Sequence, residues 1–156
     1  MYGKFLASLL LYEVSIFMST IQIMIINDSR SVRLFLEQLI SSYDDFTIVG
    51  SYSDAAIALD NLDYKRPDVI LLDLEMPHMD GFTFLEKLSK PDSFPTIILS
   101  NYVKNDSELV SEALTLGAVD SLALPSKNIS EDFDDFKNLL YHKISKAALA
   151  SKLVQN

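Results

Sequence analysis

The 156-residue chain has no cysteine and no tryptophan, only four glycines and five prolines, and 13 Lys and Arg against 22 Asp and Glu. The lack of cysteine excludes disulfides and thiolate metal sites and accords with a reducing compartment, so a cytoplasmic setting is expected. The formal net charge of −9 argues against a nucleic-acid partner, because affinity for a phosphate backbone rests on clustered Lys and Arg. Here the basic residues are scattered apart from short pairs such as Lys65-Arg66. There is no internal repeat, low-complexity segment or composition shift to mark a second domain.

Apolar residues make up 49% of the chain and charged residues 22%, the balance of an ordinary folded protein. Seven Tyr and nine Phe supply bulky core material. A chain of this length buries roughly two-thirds of its unfolded surface, enough for one domain without a covalent staple.

The chain divides into an apolar extension (1–17), a regular core (18–128) and a last helix with its tail (129–156). The stretch Phe5–Met18 is mostly apolar. It is shorter than the roughly 20 residues that span a bilayer. Glu13 interrupts it, and no small-residue cleavage site follows. A membrane anchor is therefore disfavoured. Two readings remain open: upstream extension before a start at Met18, or a helix packed on the domain or a partner.

From Thr20 the pattern becomes regular. Ile21–Ile26, Phe46–Ser51, Val69–Leu72, Thr96–Ser100 and Val119–Leu124 read as short strands, mostly continuous apolar runs of the kind buried on both faces. Helical spacing recurs between them. Ser29 or Ser31 caps the first helix of the alternation, and Ser53 or Asp54 the second, which Pro67 ends. The third carries Phe82, Phe84, Leu85 and Leu88, with Pro91 and Pro95 bracketing the turn beyond. The fourth runs from Asp106 to Leu116, with Gly117 as its C′ residue. The last begins near Ser130 or Glu131. Five strands alternating with five helices predict an α/β fold with a doubly wound parallel sheet, for which the flavodoxin-like order 2-1-3-4-5 is economical.

That order brings together Asn27-Asp28 after the first strand, Asp73 at the end of the third and Ser100 at the end of the fourth. Clustered carboxylates raise one another's pKa unless a cation joins them. Oxygen donors alone suit Mg²⁺, which binds through one or two carboxylates and keeps sites for a phosphate donor. Asp73 as nucleophile beside such a cation makes an aspartyl-phosphate site, with Ser100 donating to a phosphoryl oxygen. Taken singly, an Asp after a strand is more often a cap or turn former, and a Ser a turn residue. The combination at successive strand ends carries the argument.

Asn27-Asp28-Ser29, the run Asp73-Leu74-Glu75-Met76-Pro77-His78-Met79-Asp80-Gly81 and the strand ending in Ser100 resemble the receiver domain of bacterial response regulators. The loop matches the family's D-x-x-M-P-x-M-D-G at every fixed position. Phe84-Leu85-Glu86-Lys87-Leu88 and Ala113–Asp120 make the chain most similar to the amino-terminal receiver of chemotaxis protein-glutamate methylesterases. The resemblance spans residues 18 to about 128. It implies that Asp73 accepts a phosphoryl group from a histidine kinase. It also implies that Mg²⁺ is bound by Asp28 and Asp73 through side chains, by Glu75 through its backbone carbonyl and weakly by Asn27 through a water. Ser100 is then the switch hydroxyl, while Pro77 and Gly81 shape the loop.

Three positions depart from the family. Leu124, before Pro125, stands where receivers place a Lys that pairs with the phosphoryl group; Lys127 lies three residues on. Ser121 occupies the aromatic switch position. Asn27 replaces the first acid and removes one charge, which predicts weaker Mg²⁺ binding. The acceptor is kept while the transmission residues are altered, so weakened phosphorylation-driven switching is expected. There is no G-x-S-x-G, and neither His78 nor His142 has a matching nucleophile; both are expected at the surface, and esterase activity is not.

The leading expectation is a stand-alone, partly degenerate receiver that acts by binding a kinase or chemotaxis-type signalling protein. Its contact face would be the fourth helix, fifth strand and last helix. Alternatives are a fragment or relic of a chemotaxis methylesterase, a phosphorylation-independent binding module, and, remotely, a small Asp-nucleophile phosphatase. For the last, Asp73-Leu74-Glu75 follows the wrong strand and runs into a Met-Pro turn.

Overall fold

The computed structural model describes residues 2–88, 94–101, 107–125 and 133–154. Pro91, Asp106, Lys127, Ser130 and Glu131 lie outside the described residues. Five parallel strands form one sheet in the order β2-β1-β3-β4-β5. They are β1 (Ile21–Ile26), β2 (Phe46–Tyr52), β3 (Val69–Asp73), β4 (Thr96–Asn101) and β5 (Asp120–Leu124). The helices are α1 (Tyr2–Met18), α2 (Arg30–Ser41), α3 (Ala55–Lys65), α4 (Gly81–Lys87), α5 (Ser107–Thr115) and α6 (Phe133–Val154). This is the expected flavodoxin-like doubly wound fold, with α1 added before it. β4 runs one residue beyond expectation, so Ser100 precedes the strand's last residue.

Alternation along each strand explains the layers. In β1, Ile23 and Ile25 face one way and Met24 and Ile26 the other, all fully buried. Ile23, Ile25, Val69, Leu71, Ile97 and Leu99 pack with Leu36, Leu39 and Ile40 of α2 and with Phe136, Leu140 and Ile144 of α6. Met24, Ile26, Ile70, Leu72 and Ile98 pack with Ala58 and Leu62 of α3, Phe84 and Leu85 of α4 and Ala113 of α5. Each fully buried aliphatic side chain contributes about 1.5–3 kcal/mol relative to exposure. A sheet apolar on both faces is therefore stable only with both helical layers in place.

The helix ends show which capping candidates succeed. Ser29 caps α2 by accepting from the Val32 N–H, and Asp54 caps α3 by accepting from the Ala56 N–H. Gly117, at φ 114°, ends α5 in a Schellman arrangement: its N–H donates to Leu114 O at 3.2 Å and the Ala118 N–H to Ala113 O at 3.0 Å. Arg66 ends α3 in the left-handed region, at φ 46°, without being glycine.

Helix α1 takes up the apolar extension. Tyr2, Phe5, Leu6, Leu9, Leu10 and Leu11 are exposed on it. Among the described residues no helix is long and apolar enough to cross a membrane.

Candidate functional site

Parallel strands point their carboxyl ends to one edge, and the switch point between β1 and β3 lies at its centre. A cavity of about 330 Å³ opens there, lined by Asn27, Asp28, Asp73, Glu75, Ser100 and Leu124, among others. The fold therefore brings all five expected site residues into one cleft, together with Leu124.

On the β1 side, Asn27 is buried just past the strand, its N–H donating to Tyr52 O at 3.0 Å. Its Oδ1 accepts the Ser29 N–H at 2.9 Å, tying the turn into the cap of α2. One lone pair of Asn27 is thus already committed inside the protein, which suits it to an indirect role toward a cation. Sequence reading does not single out Arg33, one turn into α2, yet its Nη1 donates to Asn27 O at 2.7 Å and to Asp28 O at 3.3 Å. Contacts to backbone carbonyls leave no residue-type signature. The only sequence signal was a cation one helical turn after a strand-end acid.

On the β3 side, Asp73 is the last strand residue and is half-buried, and its Oδ1 accepts the Glu75 N–H at 3.1 Å. Burial pushes its carboxyl up to about 6; the Glu75 N–H works the other way, and the charge and hydrogen bonding of the Asp28 carboxyl add to the rise. The expected mutual repulsion of the two acids is present, but burial outweighs it.

The loop after β3 is held by its own backbone. The Gly81 N–H donates to Leu74 O at 3.0 Å, and Asp80 caps α4 by accepting the Thr83 N–H at 2.8 Å. His78 adopts φ 69° and is exposed, as is His142. In β4 and β5, Ser100 lies opposite Ala123 and Asn101 opposite Leu124. Ser121 is half-buried opposite Ile98.

The donors suit a hard cation. The Asp28 carboxyl is close enough to add to the rise at Asp73, behind burial as the larger cause, and a cation between the two acids would offset that charge. Among the described residues no group of three or more His, Cys, Asp or Glu is placed to hold a metal ion. A two-carboxylate set of this kind matches Mg²⁺, which retains much of its water, better than an all-protein cage.

A parallel 2-1-3-4-5 sheet with two acids and a serine converging at its carboxyl edge defines a phosphorelay receiver. The response regulator receiver domain family matches residues 23–132, and the chain belongs to that family. It is a two-component receiver similar to those at the amino terminus of chemotaxis methylesterases. It is 36% identical over 136 residues to protein-glutamate methylesterase/protein-glutamine glutaminase 2 of Shewanella sp. (strain MR-4), covering 87% of this chain and 39% of that protein. Against the corresponding Bdellovibrio bacteriovorus protein it is 38% identical over 130 residues, covering 83% of this chain and 37% of that one. The chain thus spans well under half the length of these curated relatives. Among solved structures, the response regulator domain of Thermotoga maritima CheB superposes with a TM-score of 0.72 at 31% identity, covering 83% of this chain and 96% of that one. A chain of the CheX-CheY-BeF3-Mg+2 complex from Borrelia burgdorferi gives a TM-score of 0.65 at 25% identity, covering 81% and 89%.

Proposed function

We propose that Asp73 is the phosphoacceptor of this receiver and that a histidine kinase is its donor. The observation that carries the reading is the convergence of Asp28, Asp73, Glu75 and Ser100 on one cleft at the carboxyl edge of the sheet. An Asp73 carboxylate oxygen attacks phosphorus, the bond from phosphorus to the donor histidine nitrogen breaks, and an acyl phosphate forms. The Glu75 N–H fixes the rotation of the attacking carboxylate. The Ser100 hydroxyl donates a hydrogen bond to a phosphoryl oxygen.

Asp28 and Asp73 by side chain, Glu75 by its backbone carbonyl and Asn27 through a water are the residues that would hold Mg²⁺. Its chemistry, when bound, is to offset the charge of the carboxylates and of the phosphoryl group. That a solved neighbour was obtained in a complex with BeF3 and Mg+2 supports Mg²⁺ as the cation.

Transmission is weakened in this reading. Leu124 brings an apolar side chain to the cleft wall where the family places an ammonium, and Ser121 offers no ring to bury. The chain acts by contact with a kinase or a chemotaxis-type signalling protein, in a cytoplasmic setting, and not by esterase turnover. The test is incubation with Mg²⁺ and a small acyl phosphate, read by intact mass. One phosphoryl adduct on the wild-type protein and none on Asp73→Asn supports the reading; no adduct on the wild type overturns it.

A second reading, the amino-terminal portion of a longer methylesterase or its relic, is favoured by the 39% coverage of the Shewanella relative. The genomic sequence downstream decides it.

A further inference from the structure

We propose that Arg33 is a positioning residue that holds the Asp28 side of the cleft in its cation-binding geometry. The inference rests on the reading of Asp28 and Asp73 as the carboxylates that hold Mg²⁺.

β1 ends at Ile26, so the carbonyls of Asn27 and Asp28 lie past the strand. The Asn27 carbonyl is part-buried, where lacking a donor is costly, while the Asp28 carbonyl is exposed. Arg33 supplies a donor to both, with Nη1 at 2.7 Å from Asn27 O and 3.3 Å from Asp28 O. A charged donor makes the stronger kind of hydrogen bond.

The turn is then fastened at three points. The Asn27 N–H is bound to β2 through Tyr52 O, the Asn27 side chain is bound to the Ser29 N–H, and both carbonyls are bound to the guanidinium. Asp28 sits between the last two fastenings. Its backbone orientation, and hence the direction of its carboxylate toward Asp73, is set by a side chain that is anchored on α2 and half-buried. Such a partner acts as an outer shell does around a metal ligand: it leaves the donors in place and fixes where they aim.

The role separates from simple helix packing, because Met keeps the aliphatic stem of Arg and removes only the guanidinium. The experiment uses the full chain as wild type, Arg33→Met, Arg33→Gln and Arg33→Lys, with folding checked by circular dichroism. Mg²⁺ alone is titrated by calorimetry, and exchange of the Ser29 amide is followed by NMR. The two neutral variants are expected to bind Mg²⁺ about tenfold more weakly and to exchange the Ser29 amide faster. Arg33→Lys should recover most of both losses. Should Arg33→Met fail to fold, Arg33→Gln carries the comparison.

Wild-type Mg²⁺ affinity in a folded neutral variant overturns the proposal, and so does an unchanged Ser29 exchange rate. A wild-type protein that binds no Mg²⁺ overturns the reading of the carboxylates instead, and the exchange measurement then decides the role of Arg33 by itself.

Discussion

A Cβ added to Gly81 would lie 2.6 Å from the backbone carbonyl oxygen of Asp73 and 2.8 Å from Cα of Leu74. The first residue of α4 is thus pressed against the backbone that carries Asp73, and only hydrogen fits between them. Because the obstruction is backbone and not a flexible side-chain tip, the strain of a larger residue goes into moving either α4 or Asp73. Gly81→Ala is expected to cost about 1–3 kcal/mol of stability, measured by urea unfolding. It should also slow phosphorylation of Asp73 by about tenfold, since small misplacements of a reacting group are expensive.

Asp73 gives the fold a pH dependence. Its folded pKa of about 6 lies above the ordinary carboxylate value of 3.8, because burial disfavours the charged form. A group raised in this way contributes stability that is full below the unfolded pKa and is lost as pH rises through the folded one. Wild-type stability should therefore fall between pH 4 and about pH 7 relative to Asp73→Asn, which cannot ionise. Urea melts of the two proteins at intervals across that range check it. Millimolar Mg²⁺ should narrow the difference at neutral pH.

Leu124 lines the cleft that holds the two acids. Leu124→Lys would place an ammonium among them, which favours the charged form of Asp73 and lowers its pKa. An NMR titration of the Asp73 carboxyl should show the downward shift. If Leu124 is what weakens transmission, the substitution should also enlarge the spectral change in α5, β5 and α6 that follows phosphorylation.

His78 occupies the left-handed region, at φ 69°, in the middle of the loop between β3 and α4. His tolerates that region better than most residues but still pays a steric cost there. His78→Gly should stabilise the protein by up to about 1 kcal/mol, with no loss of phosphorylation, because the side chain is exposed. Thermal unfolding together with the intact-mass assay checks both halves.

The sheet was legible because its signal is redundant. Ile21–Ile26, Val69–Leu72 and Thr96–Ser100 are apolar runs too short for helices, and alternation with helical segments leaves few topologies. Once the strand order follows, Asp28, Asp73 and Ser100 are forced to one edge. Local choices were harder. Ser29 and Ser31, or Ser53 and Asp54, are equally good caps on paper, and only the path of the backbone selects Ser29 and Asp54. The left-handed turns at Arg66 and His78 carry no glycine to announce them. Arg33 reads as an ordinary helix-surface cation until its contacts with Asn27 and Asp28 are seen.

The two-sided core also has a consequence for biosynthesis. The face built from Ile23, Ile25, Leu71, Ile97 and Leu99 is closed by Phe136, Leu140 and Ile144 of α6. On the ribosome all five strands emerge before those three side chains do. Until α6 arrives, the part of this face that α2 does not cover stays open to solvent in the nascent chain, the kind of apolar surface that chaperones recognise and aggregates grow from. Folding of this domain therefore waits on translation of α6, and the cleft at the opposite end of β3 from Val69 gains its lasting shape only once that helix has docked.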